Sequence, residues 1–221
     1  MILLVNTIGS ARENVEVIRL FVRLMQDFNQ LGLKKFVEIN MVIDKNTIYT
    51  KLESRLKSVK NLDFDLDVLL YLIHTVVFHD PTKNCRVKGN RDDWIGLPKS
   101  KSLFFAPHGK GFPIGNLTSQ LFGNIYLDDF DHFVREKLGI QRYGRYVDDI
   151  VFVHSDKEFL KSVISKARDY LRDELDLELH PKKIYLQHFE KGVGFLGTYI
   201  KPWRTYIGTK TKQNFYATTK M

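Results

Sequence analysis

The chain has 221 residues, 43% of them apolar, enough for a packed core and too many for a disordered polypeptide. Its formal net charge is +8. That balance suits a polyanionic partner, because each Lys or Arg that meets a phosphate releases a counterion, although many basic proteins bind no nucleic acid. The single cysteine, Cys85, excludes an intramolecular disulfide and is expected as a free buried thiol in a reducing compartment.

Met1-Ile2-Leu3-Leu4-Val5 is too short for a secretory h-region and lacks a basic n-region. From Glu13 to Leu31, Val17, Leu20, Phe21, Leu24, Met25 and Phe28 recur at helical spacing. Lys35 to Ile39 reads as a short strand. Thr47 to Lys57 and Leu66 to Phe78 read as helices separated by the acidic turn Asn61-Leu62-Asp63. The most apolar stretch, Val68 to Phe78, contains His74 and is too short to span a bilayer, so a soluble cytoplasmic protein without a membrane partner is expected. His79 to Gly111, rich in Pro, Gly, Lys and Asn, reads as a long loop or an appended hairpin. Within it Trp94, Phe104 and Phe105 interleave with lysines, either as a stacking surface for nucleic acid or as a loop packed on the domain.

Leu117 to Leu138 is the clearest long helix, with Leu117, Leu121, Phe122, Ile125, Phe130, Phe133, Val134 and Leu138 on an apolar stripe. Asp128, Asp129 and Asp131 on it are expected to form a solvated face. Tyr143 to His154 reads as a β-hairpin around Asp148-Asp149. Ser155 and Glu158 form a capping box that opens a helix to about Leu175. Short strands follow around Leu177–Leu179, Ile184–Leu186 and Phe195–Ile200, then a basic, Thr-rich end. The order predicts an α+β fold, helices packed on one face of an antiparallel sheet.

Adjacent aspartates between apolar runs are unusual, since Asp is depleted in strands and like charges repel. A solvated turn would accept them. A divalent cation would too, because Mg²⁺ binds through one or two carboxylates plus substrate phosphates. Two such ions can clamp the attacking and leaving oxygens of phosphoryl transfer.

Arg145-Tyr146-Val147-Asp148-Asp149-Ile150-Val151 resembles the catalytic hairpin of reverse transcriptases. Lys110 to Gln120, with Ile114-Gly115-Asn116-Leu117-Thr118-Ser119-Gln120, resembles the loop of that family that faces template and nucleotide. This form is similar to the enzymes of diversity-generating retroelements. Leu121 to Leu127, Phe78 to Lys83, Lys101 to Phe104, Leu179-His180-Pro181-Lys182-Lys183 and Gly194-Phe195-Leu196-Gly197 resemble further family motifs in the same order. The resemblance implies a polymerase palm with partial fingers. Residues 1–34 would be a partial-fingers or helical lead-in, 35–200 the palm with 79–111 as its long loop, and 201–221 a basic tail at the start of a thumb connection. It implies RNA-directed DNA polymerisation with Asp148 and Asp149 holding Mg²⁺, Mn²⁺ being the alternative ion. Lys183 would act near the leaving pyrophosphate, and Ile114, Gly115, Asn116, Gln120 and Tyr146 would contact nucleotide or template. Template RNA, cDNA or primer, dNTPs and a small basic accessory protein are the implied partners. A catalytically dead truncated palm, or a retron or abortive-infection enzyme, are the alternatives.

The resemblance breaks near Asn40, which stands where the family has a third catalytic aspartate. On one alignment a short segment is absent there, because Met41 to Tyr49 resembles the downstream residues. On the other, Asp44 is the third metal ligand, with Tyr49 as the aromatic sugar gate.

Overall fold

A computed structural model describes residues 2–6 and 42–219, apart from 61, 64, 87–88, 97, 100–101, 114–115, 147, 180 and 196. The expected helix over 13–31, the strand over 35–39, and Asn40, Ile114 and Gly115 lie outside the described residues. The described part falls into two compact units. One comprises Ile2–Asn6 with 130–174 and 178–219, the other 42–129 with 175–177.

The first unit is built on a four-stranded sheet of β1 (Ile2–Asn6), β2 (Tyr143–Tyr146), β3 (Asp149–His154) and β4 (Ile184–His188), in the order β2-β3-β1-β4. β2 and β3 form the expected hairpin, with Tyr146 opposite Asp149 and Tyr143 opposite Phe152. Their rings stack across the strands at 5.4 Å, the sort of cross-strand contact that fixes register. A wholly antiparallel sheet is not what forms. β1 runs parallel to both neighbours, Ile2 lying level with Ile150 and with Ile184. Parallel pairing needs long crossovers, and nothing in a five-residue strand reveals its direction. A second sheet holds β5 (Val193–Phe195), β6 (Thr198–Ile200) and β7 (Thr205–Ile207). The strand read over Phe195–Ile200 is thus two strands and a turn, made by Gly197 at φ 86°.

The helix α4 (Lys157–Leu175) follows the hairpin. Its amphipathic stripe is buried as expected at Leu160, Val163, Ala167 and Leu171. The cap differs from the capping box read in the sequence. Asp156, not Ser155, takes the backbone N–H groups of Glu158 and Phe159, at 2.8 and 3.1 Å. Asp and Ser cap about equally well, so the choice falls to the one the chain geometry places at the helix start. The expected strand Leu177–Leu179 does not form. Asp176 breaks the chain there, in the left-handed region at φ 49°, a conformation Asp tolerates better than most residues. The basic end is ordered as α5 (Thr209–Thr219).

The second unit holds α1 (Lys45–Ser58), α2 (Leu66–Phe78) and most of α3 (Leu117–His132), which ends in a π-helical turn, Phe133–Lys137, belonging to the first unit. The segment after α2 is a loop that carries 3-10 turns at Arg91–Trp94 and Leu103–Phe105. Cys85 lies in it and is exposed, not buried as expected; a loop with this much Pro, Gly and Asn has too few apolar side chains to cover a thiol. No helix among the described residues is long and apolar enough to cross a membrane.

Candidate active site

In the first unit, the pairing of Tyr146 with Asp149 leaves a two-residue connection, Val147-Asp148. The tip therefore carries both carboxylates. Asp149 begins β3 and is only 4% exposed. Asp148 is half-buried, with its Oδ1 closed off from solvent. Behind them Ile150, Val151, Phe152 and Val153 are all buried, so the apolar run plants the tip in the core. This is not the solvated turn that would accept two aspartates without further reason.

Strand β2 is anchored by an ion pair that sequence reasoning missed. Arg145 donates from Nε and Nη2 to the two carboxylate oxygens of Asp131, at 2.8 and 2.6 Å. The Tyr143 hydroxyl donates to the same carboxylate at 2.5 Å. Both charged partners are largely buried, a bidentate geometry that fixes orientation as well as energy. Burial works against the Arg145 charge, but the Asp131 hydrogen bonds and charge outweigh it and raise the guanidinium's pKa. The Tyr143 phenol is also pushed up, by burial and then by Asp131. Asp131 is therefore no part of a solvated face. The available signal was Arg145 itself, an arginine in a buried strand, which requires an acid partner. Asp128 and Asp129 meet Arg55 and Lys51 at the surface of the second unit.

Among the remaining expected groups of this unit, Tyr146 is half-buried at the end of β2, and Lys183 is half-buried in the 3-10 turn Pro181–Lys183 before β4. The strand beside β3 is β1, whose residues Ile2, Leu3, Leu4, Val5 and Asn6 include no carboxylate. Among the described residues no three His, Cys, Asp or Glu side chains cluster as candidate metal ligands. Asp148 and Asp149 still suit a hard cation, offering carboxylate oxygens that Mg²⁺ can share with substrate phosphates.

In the second unit, the loop before α3 is stitched to the start of α1. Gly111 N–H donates to Ile43 O and Lys45 N–H to Gly109 O, both at 3.0 Å. Gly109 and Gly111 take φ 76° and 87°, conformations open to glycine. Asn116 is exposed, whereas Gln120 is 8% exposed and Ser119 is fully buried. Leu117, expected on the buried stripe, is 77% exposed, and Leu121 is exposed too. The first turn of α3 thus turns its polar side inward and its leucines outward. Helical spacing identifies a stripe but not the side that finds cover. Asp44 is the N-cap of α1, its Oδ1 accepting from Thr47 N–H at 2.8 Å and from the Thr47 hydroxyl at 3.1 Å. Tyr49 packs edge-on against His74, ring centres 5.4 Å apart, and against Phe78.

Residues 69–200 match the family described as reverse transcriptase (RNA-dependent DNA polymerase). The chain belongs to the reverse transcriptase family. The matched span includes the loop leading into α3, the aspartate hairpin, α4 and strands β5 and β6 of the second sheet. No curated protein matches the chain. Family members are nucleotidyltransferases that act on nucleic acid and typically use Mg²⁺.

Proposed function

We propose that the chain is an RNA-directed DNA polymerase of a diversity-generating retroelement, copying template RNA into cDNA in the cytoplasm. The observation that carries this reading is the aspartate pair held at the tip of a buried hairpin. Asp148 and Asp149 would hold Mg²⁺, with Mn²⁺ as the alternative ion. When bound, the metal supplies charge neutralisation for the transferred phosphoryl group. The chain's own residues do the positioning. Burial of Ile150 to Val153 and the Arg145–Asp131 pair fix the hairpin, so the carboxylates need no reorganisation when substrate arrives. Lys183 serves as a positive group or proton donor toward the leaving pyrophosphate. Ile114, Gly115, Asn116, Gln120 and Tyr146 line the nascent pair. On the second alignment Asp44, which caps α1 through Oδ1, would be the third metal ligand through its other carboxylate oxygen. A small basic accessory protein is the proposed protein partner, alongside template, primer and dNTPs.

A second reading, a palm that binds RNA without polymerising, is favoured by one observation. Among the described residues, the strand beside β3 brings no carboxylate to the pair. Primer extension on an RNA template, with Mg²⁺ and with Mn²⁺, separates the two. The first reading expects slow extension that Asp149→Asn lowers by roughly a thousandfold or more, since a metal-bridging group contributes several kcal/mol in the transition state. Absent extension together with salt-sensitive RNA binding would establish the second reading instead.

A further inference from the structure

The second unit contains a cavity of about 310 Å³ that lies outside the hairpin. Its walls include Lys45, Phe78, Asp80, Phe104, His108 and Lys110. Three observations bear on what it holds.

Lys45 is the first. Lysine is almost never buried unless paired, yet this side chain is only 7% exposed. Its ammonium donates one hydrogen bond, to His79 O at 2.9 Å, and its charge sits 5.6 Å from the Phe112 ring. No carboxylate lies within ion-pair distance among the described residues. The nearest acid in the wall, Asp80, has an oxygen committed to Thr82, accepting from its backbone N–H at 3.0 Å and its hydroxyl at 2.6 Å. Burial lowers the Lys45 pKa, opposed by Asp80 and helped by Lys83. An ammonium held in this way has donors to spare and gains from an anion.

Aromatic lining is the second. Phe78 and the exposed Phe104 provide flat apolar surface in the same cavity, as a planar heterocycle requires. The third is the build of the mouth. Residues 106–111 are fixed to α1 by the paired backbone bonds at Ile43 and Lys45, and Lys110 is held by Asp176. The volume falls at the lower end of sites that enclose small ligands.

We propose that this cavity binds one nucleotide, with its phosphate on the Lys45 ammonium and its base against Phe78 and Phe104. The choice of a nucleotide over another aromatic anion rests on the family reading. The phosphate belongs either to a free mononucleotide or to one unit of a strand.

The test uses dAMP with EDTA present, so that a metal-dependent site contributes nothing. Trp94 reports binding, its ring lying 5.5 Å from that of Phe104; Trp203→Phe leaves it the sole tryptophan. Saturable binding of dAMP is expected, weakened about tenfold or more by Lys45→Gln and by replacing dAMP with adenosine. Asp149→Asn should leave the affinity within about twofold, which separates this site from the polymerase reading. Ala106→Phe fills the cavity while keeping Lys45 and should also abolish binding, so the proposal stays testable if Lys45→Gln fails to fold. Competition by the tetranucleotide (dA)4 assigns the site to a strand, and its absence assigns it to the free nucleotide. No binding of either ligand, or wild-type affinity in folded Lys45→Gln or in Ala106→Phe, overturns the proposal.

Discussion

Two stretches of the chain are almost wholly apolar, β3 and α2, and the fold treats them in opposite ways. In β3 every residue from Asp149 to Val153 is buried. In α2 only Val77 is buried, while Val68, Leu72 and Val76 are exposed and Tyr71 is 70% exposed. The difference lies in how each element presents side chains. A strand inside a sheet is covered on both faces by packed layers and on both edges by neighbours. A helix buries only the stripe that meets another element. For α2 part of that cover is α1, through the Tyr49, His74 and Phe78 rings. Apolar composition therefore gave the two segments the same appearance, and only one became core.

Mutation can sharpen this contrast, beginning where burial is complete. Phe152→Ala should cost about 3–5 kcal/mol, the usual penalty for emptying an aromatic core site. Urea unfolding measures it, and a loss under about 1 kcal/mol would mean that the hairpin is not core.

The anchor of the hairpin should come next. Asp131→Asn leaves Arg145 buried without its counter-charge, at a cost of about 2–4 kcal/mol once partial exposure is allowed for. Slower primer extension should accompany it at temperatures where the variant is still folded. If Asp131→Asn and wild type share one melting curve, the pair is incidental.

A smaller effect is expected in the unit that holds α2. Tyr126 donates from its hydroxyl to Leu175 O at 2.7 Å, and its pKa is pushed up to about 12, by burial first and then by the charges of Asp44 and Asp176. A raised pKa on a phenol means that the fold favours the protonated form. Its contribution, about 2 kcal/mol, is thus fully present below pH 10 and is lost as pH rises toward 12. Tyr126→Phe should flatten the alkaline fall in stability over that window. An unchanged slope would move the effect to other groups, Tyr143 first.

Least of all should change at the exposed face of α2. Leu72→Gln is expected to shift stability by no more than about 0.5 kcal/mol, as for most surface substitutions. A loss several times larger would show that this face is covered, and the comparison with β3 would fail.

Residue order alone determined the hairpin, α2, the extent of α4 and the position of the aspartate pair at the hairpin tip. Each rests on local rules: alternation around a two-residue turn, apolar spacing, and the match of successive motifs to the reverse transcriptase family. Tertiary structure alone decided which of three neighbouring aspartates pairs with Arg145, since all three look alike along a helix. The same is true of the direction of β1, the outward turn of Leu117 and Leu121, and the burial of Lys45. These depend on what lies opposite in space. A sequence fixes the period and chemistry of each face, but cover, counter-charge and strand direction come from partners distant in the chain.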